Sequence, residues 1–421
     1  MKRGFLNSAK AQKQQLYPAA SSSHDTAEAS PPSQELESMY KARYGKVENR
    51  GKLGLPEGYT PSNIPMSDMQ PNGVYKDHIV NGLIFTTLHH ASDPAGNHNT
   101  ELLVEGSTKQ KIFSTPGFLK PVPKPSGQPC YVIRSTPDMG LGCFVTRAIE
   151  AGETIFAERP LLVAPRSCRV QRGPQLLAQY GIHQGNLVVL AEWEKMLEVA
   201  VARMTEENRK ALMSLANNHT EDGSGPILGI VRTNAYTSVD IFDGPVKLAN
   251  NANLYSAILK IGSRLNHSCR GNVTYDFDLA SFSYIFKAEK DIAAGEQLFY
   301  SYCDLNVPAS VRKSQLAPYG VVCKCLSCIN ATPASDKIRT EFEQRVKDSP
   351  KWVTNARANI RLALKLRQDM IDEGLEGTTE YACCLQVLCG MYMLMGETVK
   401  FQRIKDEFNK YNRLAKLQAA F

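Results

Sequence analysis

Arg264-Leu-Asn-His-Ser-Cys269 is the stretch around which the 421-residue chain is organised. An Asn-His pair followed two residues later by a cysteine can divide its labour. Two polar residues face a ligand while the thiolate pins the same loop to a metal. Three other segments read as partners of this loop: Gly140-Leu-Gly142 upstream, Phe299-Tyr-Ser-Tyr302 downstream, and the cysteine cluster Cys323-Lys-Cys-Leu-Ser-Cys328. No single one of them fixes a fold, but their order and spacing do so together.

Cys323, Cys325 and Cys328, joined by Cys269, offer four soft thiolate donors, the number a closed tetrahedral zinc site requires. The competing reading is a set of free buried thiols, which clustering would expose to oxidation. A metal here would fold the cysteine segment over the Asn266-His267 loop and complete one wall of a ligand pocket.

Composition sets the surroundings. With 43% hydrophobic and 22% charged residues, the chain fits an ordinary globular protein of two domains and a tail. A formal net charge of +7 permits an acidic partner without demanding one, and no compact basic motif points to nucleic acid. Eleven cysteines with no apolar signal segment ahead of them predict reduced thiols and a metal, inside the cell, in the nucleus or cytoplasm. Lys2, Arg3, Lys10 and Lys13 precede the first acidic residue, so a mitochondrial transit peptide is an alternative to a plain solvated tail, and the tail reading is preferred. No run approaches the ~18 apolar residues needed to span a bilayer, so no membrane partner is expected.

Residues 1–125 hold more than half of the 23 prolines, with clusters at Ser21–Ser23, Pro31-Pro32 and Pro121–Pro125, and are expected to be a largely irregular extension. The exception is Gly82–Leu88, a β-rich run suited to an edge strand. His78, His89, His90 and His98 around it lack cysteines or helical spacing and read as solvated loop histidines. From Cys130 onward short strands alternate with glycine turns: Cys130–Arg134, Cys143–Thr146 and Thr154–Ala157. Between about 171 and 220 the period changes, and Trp193, Leu197 and Val201 fall on one helical stripe. The β pattern is expected to resume at Ile227–Val231, to run on through Arg232–Asn234, and to continue at Val273–Asp278, Phe282–Phe286 and Leu298–Tyr300. After Asn330 two to four helices follow, with Trp352, Ala356 and Ile360 on one stripe and Phe401, Ile404, Phe408, Tyr411 and Leu414 on another.

Taken together, these motifs resemble the SET-domain lysine methyltransferases, particularly the SET-and-MYND type, from about Cys130 to Asn330. The resemblance implies an α+β chain. It would comprise a β-rich SET fold of small twisted sheets at 126–330 with a helical insertion at about 171–220, a zinc-binding post-SET segment at 319–330, and a C-terminal helical domain at 331–421. Cys168 is the only cysteine near the insertion, so the zinc-binding MYND module of that place is missing. The family binds S-adenosylmethionine, and the matching positions are Gly140, Leu141, Gly142, Asn234, Asn266, His267, Tyr302 and Val321. Tyr302 matches the active-site tyrosine and Tyr319 the second tyrosine of the lysine channel, while Tyr300 points to the other strand face. The implied reaction is S-adenosylmethionine-dependent methyl transfer to the lysine of a protein or peptide such as a histone. A cofactor-binding scaffold or reader without activity, or an enzyme acting on a small molecule, are the alternatives.

Two departures from the family pattern stand out. Arg270-Gly271-Asn272 replaces the usual proline before the asparagine, which is expected to loosen the loop. Val321 stands where many relatives place an aromatic residue to stack on adenine, a loss of about 1 kcal/mol of cofactor affinity. Nothing in the sequence indicates an oligomeric state.

Overall fold

A computed structural model of the protein describes residues 54–89, 96, 98–125, 127–248 and 251–419, with side chains described up to residue 411. The basic stretch through His24, the Ser21–Ser23 and Pro31-Pro32 clusters, and His90 lie outside the described residues. Two compact units are present, each assembled from separated stretches of chain. One joins residues up to 115 with 160–259, and the other joins residues 116–159 with 260 onward. The boundaries expected at 125 and 330 are therefore corrected: the insertion shares a unit with the N-terminal extension, and the C-terminal helices share one with the Asn-His loop.

The first unit contains a six-stranded sheet in the spatial order His78–Val80, Leu83–Leu88, Thr100–Glu105, Leu162–Pro165, Leu254–Ile258, Tyr236–Phe242. All neighbours are antiparallel except Thr100–Glu105 with Leu162–Pro165, where Glu101 lies opposite Leu162. The extension read as irregular thus supplies half the strands, and Leu83–Leu88 lies inside the edge instead of forming it. Thr-Glu-Leu-Leu-Val-Glu escapes notice because its glutamates hide the apolar run. Glu101 is buried, with Arg203 Nε 3.0 Å from its carboxylate. His89, expected to be solvated, places Nδ1 3.0 Å from Asn99 Oδ1.

The helical insertion is present as Gly173–Ala202, broken at Gly181 (φ 74°), and Glu206–Met213. Trp193, Leu197 and Val201 join Phe85, Leu103 and Ile258 in the core of this unit. Ile227–Val231, read as a strand, lies instead in the helix Pro226–Asn234. A short, wholly apolar run carries no period that separates a buried helix from a buried strand. Pro226 in the first turn needs no hydrogen-bond acceptor, and the Glu194 carboxylate accepts the first-turn amides of Ile227 (2.8 Å) and Leu228 (2.7 Å), which have no acceptor within the helix.

The second unit carries small sheets, as expected. Val273–Asp278, Ser283–Ala288 and Thr154–Glu158 form three antiparallel strands, Tyr131–Ser135 pairs with Leu141–Val145, and Asn266-His267 runs parallel to Phe299-Tyr300. Four helices close the chain: Pro333–Asp348, Ala356–Asp372, Thr379–Leu394 and Thr398–Ala419. Ala356 and Ile404 are buried and Trp352, Ile360, Phe401, Phe408 and Tyr411 pack against the same apolar cluster, as the two stripes require, while the Leu414 side chain lies outside the described residues. Among the described residues no helix is long and apolar enough to cross a membrane.

Candidate active site and metal centre

The loop is fixed before it reaches Asn266. Glu158 ends its strand with a buried carboxylate that accepts three successive amides, those of Lys260 (3.0 Å), Ile261 (3.0 Å) and Gly262 (2.6 Å). Consecutive amides converging on one anion make a rigid nest. Burial pushes this carboxyl up to about 7 against the opposing pull of the amides. Sequence reading missed Glu158, because a single glutamate at a strand end has no pattern to betray it.

Past this turn, Asn266 Nδ2 donates to the Leu141 carbonyl at 3.1 Å, tying the Gly140–Gly142 hairpin to the loop. Gly140 has φ 67°, the left-handed region that glycine adopts without strain, and a Cβ there would meet nothing within 4 Å. Gly142 is needed for another reason. A Cβ would come within 2.4 Å of Gln297 Nε2, so this glycine admits a protein side chain where a cofactor was expected to approach. Leu141 is exposed beside them.

His267 is buried and accepts the Tyr302 amide at Nδ1 (3.0 Å). A backbone amide can only donate, so Nδ1 carries no proton and the neutral ring holds its hydrogen on Nε2. That nitrogen lies 3.4 Å from Cys269 Sγ. His267, Cys269 and Cys303 cluster closely enough to suggest a second metal site, yet this tautomer leaves His267 no lone pair for one. The imidazole instead connects the tyrosine segment to the cysteine loop.

Tyr302 and Tyr319 meet edge to face with ring centroids 5.5 Å apart, and His267 packs 5.2 Å from Tyr302. Both tyrosines are buried. The Tyr302 hydroxyl donates to the Leu265 carbonyl at 2.5 Å, which commits its proton. Tyr300 packs on Tyr275, centroids 5.5 Å apart, away from this pair. Tyr319 sits on a single turn closed by Gly320 at φ 65°, and Val321, half-buried, follows it.

The thiols of Cys269, Cys323, Cys325 and Cys328 all lie within 4.8 Å of one another. Cys269 Sγ is 3.5 Å from Cys328 Sγ and 3.9 Å from Cys323 Sγ. Four sulfurs at about 2.3 Å from a tetrahedral zinc would stand about 3.8 Å apart, so the donor set fits that ion. A fifth thiol, Cys303, lies 3.9 Å from Cys269 and was not anticipated, although it directly follows Tyr302.

The loop is not loosened by Arg270-Gly271. Arg270 donates to the Ile371 (3.2 Å) and Asp372 carbonyls, capping the helix Ala356–Asp372. Asn272 is held on both sides of its amide, by Gln297 O (2.9 Å) and Phe299 N (2.7 Å). A guanidinium clamp has taken the place of a rigid proline. Asn234 lies in the other unit, buried at the end of its helix, and its Nδ2 donates to Ala216 (2.6 Å) and Ile230 (2.8 Å) carbonyls.

A family model described as SET domain matches residues 140–303. Residues 140–303 are a SET domain. The histone-lysine N-methyltransferase set5 of Schizosaccharomyces pombe is 28% identical over 199 residues, 47% of this chain and 50% of that protein. The N-lysine methyltransferase SMYD2 of Bos taurus is 34% identical over 125 residues, 29% of this chain and 26% of that one. The chain thus spans about half the length of the first relative and about a quarter of the second. A solved SET domain of LSMT, bound to lysine and AdoHcy, aligns with 74% of this chain and 89% of its own at 13% identity and a TM-score of 0.24. The SET domain takes in the hairpin, the Asn-His loop, Tyr302 and Cys303. Tyr319, Val321 and the Cys323–Cys328 cluster lie beyond its end.

Proposed function

We propose that this SET domain carries out methyl transfer from S-adenosylmethionine to the lysine side chain of a protein, with Zn²⁺ held by Cys269, Cys323, Cys325 and Cys328. The observation that carries the reading is the convergence of Tyr302 and Tyr319 beside the Asn266–Leu141 tie and the four-thiol cluster. The names of the set5 and SMYD2 relatives, both lysine methyltransferases, support it.

A bound sulfonium cofactor would supply the electrophilic methyl group. The chain's own part is to bind, orient and exclude water. The backbone at Gly140, Leu141, Asn266 and His267 would hold the cofactor, with Val321 offering an apolar contact without ring stacking. Lysine, with an ordinary pKa near ~10.4, must lose a proton before it attacks. Two buried aromatic rings favour that loss by withholding solvent from the charged form. Because the Tyr302 proton is committed to Leu265, its oxygen can accept from the amine N–H and so aim the nitrogen lone pair along the line of displacement. Histones are candidate acceptors, and we place the protein in a reducing compartment, nucleus or cytoplasm, consistent with eleven free cysteines.

Val321 favours one rival, a domain that binds cofactor weakly and transfers nothing. Isothermal titration with S-adenosylmethionine and S-adenosylhomocysteine, followed by incubation of labelled cofactor with a mixed protein extract, separates the two. Methylated lysine in the extract supports the enzyme, whereas weak binding with no acceptor ever labelled supports the rival. Metal analysis should return about one zinc per chain, and a Cys325→Ser protein retaining full zinc would refute the assigned ligands.

A further inference from the structure

Arg203, Arg312 and Arg339 are sheltered to a degree arginine rarely tolerates. Two of them have carboxylates: Arg203 lies 3.0 Å from Glu101 and Arg339 2.7 Å from Glu373. Arg312, with 0% exposure, has none among the described residues. Its guanidinium donates to the Val307 (2.7 Å) and Ser327 (3.0 Å) carbonyls, and its Nε is buried with no acceptor. The group of opposite character that it does approach is Cys328 Sγ, 4.0 Å from Nη2.

A permanent charge buried without a counter-charge is strongly penalised. Carbonyl oxygens solvate a guanidinium but do not neutralise it. Four thiolates around a divalent ion carry a net charge of minus two, whereas four protonated thiols carry none. A dianionic centre beside Arg312 offsets the penalty of burying its charge. We infer that Arg312 is the counter-charge of a metal tetrathiolate formed by Cys269, Cys323, Cys325 and Cys328.

The inference rests on the zinc reading above and extends it to a residue outside the ligand set. It also gives Arg312 a positioning role. The residue belongs to the helix Ala309–Leu316, whose chain continues directly into the turn that carries Tyr319. Through Ser327 and Cys328 the same guanidinium holds the cysteine segment, so one side chain sets the metal against the second tyrosine.

The test compares the full chain with Arg312→Gln, which can still donate to a carbonyl, and Arg312→Lys, which restores the charge. Zinc affinity is measured by chelator competition, and the sulfur-to-metal charge-transfer band is recorded on the cobalt-substituted proteins. Arg312→Gln should bind zinc at least about tenfold more weakly, with its cobalt band moved to lower energy, because thiolates freed of a neighbouring cation give up electrons more readily. Arg312→Lys should recover most of both changes. Equal zinc affinity and an unmoved band in Arg312→Gln would overturn the inference while leaving the metal site standing. So would equal losses in both variants with no band shift, the signature of a packing role. Absence of zinc from the wild type would remove the underlying metal reading as well. Should Arg312→Gln not fold, Arg312→Lys alone decides: an affinity within about threefold of wild type and an unmoved band support the charge, and a tenfold loss opposes it.

Discussion

The two units spend their buried polar groups differently. In the unit holding the six-stranded sheet, Glu101 meets Arg203, Glu194 caps a helix, and Tyr255 donates to Asp243 at 2.7 Å; each arrangement completes scaffold. In the other unit, Glu158, His267 and Asn272 act on the backbone around one loop, between residues 260 and 302, and Arg270 ties that loop to the Ile371 carbonyl. Burying a polar group costs about the same in either place unless it is paired. What differs at these residues is the return: in the first set it is stability, in the second it is the placement of Asn266 and Tyr302. Damage to the first should therefore lower the folded fraction, and damage to the second should leave a folded protein with an impaired site.

The largest effect should come from Arg203→Met, which strands Glu101 without its partner. Breaking a buried pair of this kind costs about 3–5 kcal/mol. Urea unfolding should show that loss while cofactor affinity, per folded molecule, stays at the wild-type value. A comparable fall in affinity would mean that the division between the units is wrong.

Next is Tyr302→Phe, in which the hydroxyl that donates to Leu265 is lost. Turnover should fall about 100-fold, or about 2.7 kcal/mol, with little change in cofactor affinity, since the interaction strengthens as the methyl moves. Unchanged methyl transfer at saturating cofactor would remove Tyr302 from the chemistry.

Glu158→Gln should weaken cofactor binding by about 1–3 kcal/mol, because an amide cannot accept at every position where the carboxylate now does. The pH profile sharpens this. With its carboxyl pushed up to about 7, chiefly by burial, the charged form that grips the amides is complete above pH 7 and is lost as pH falls through it. Wild-type affinity should rise across that window, and the slope should be missing in the variant. For folding, the sign is opposite: the native state keeps a proton that the unfolded state has released, so this group's contribution to stability declines from the ordinary carboxylate value up to about 7.

The smallest effect is expected from Asn266→Ala. It removes the 3.1 Å tie to Leu141 and should weaken cofactor binding by about 1 kcal/mol without altering kcat. If kcat fell and affinity held, Asn266 would belong with Tyr302.

The site announced itself in the sequence where chemistry forces residue types into close spacing. Soft metal donors are often cysteines clustered within a few residues, and so Cys323–Cys328 could be read directly as candidate ligands. Tyr302 and the Asn266-His267 pair were found through their company. Glu158 was invisible because it works at long sequence range, 104 residues separating it from Gly262, and both it and Arg312 because one charged residue in a strand or short helix ordinarily means a solvated face. The same limitation hid the strand Thr100–Glu105, whose buried glutamate looks like a surface residue until Arg203 is seen. At Ile227–Val231 the difficulty was different: five residues too uniformly apolar to show a period.

The tautomer of His267 makes the ring an internal gauge. One nitrogen is fixed to the Tyr302 amide and the other faces Cys269, so the imidazole behaves as a rigid strut between metal loop and tyrosine. A metal held by the four thiols would change what the Nε2 proton faces, and the strut would carry that change to the backbone of Tyr302. Nitrogen-15 resonances of this single ring would then report metal occupancy and tyrosine placement in one spectrum, with no substrate present.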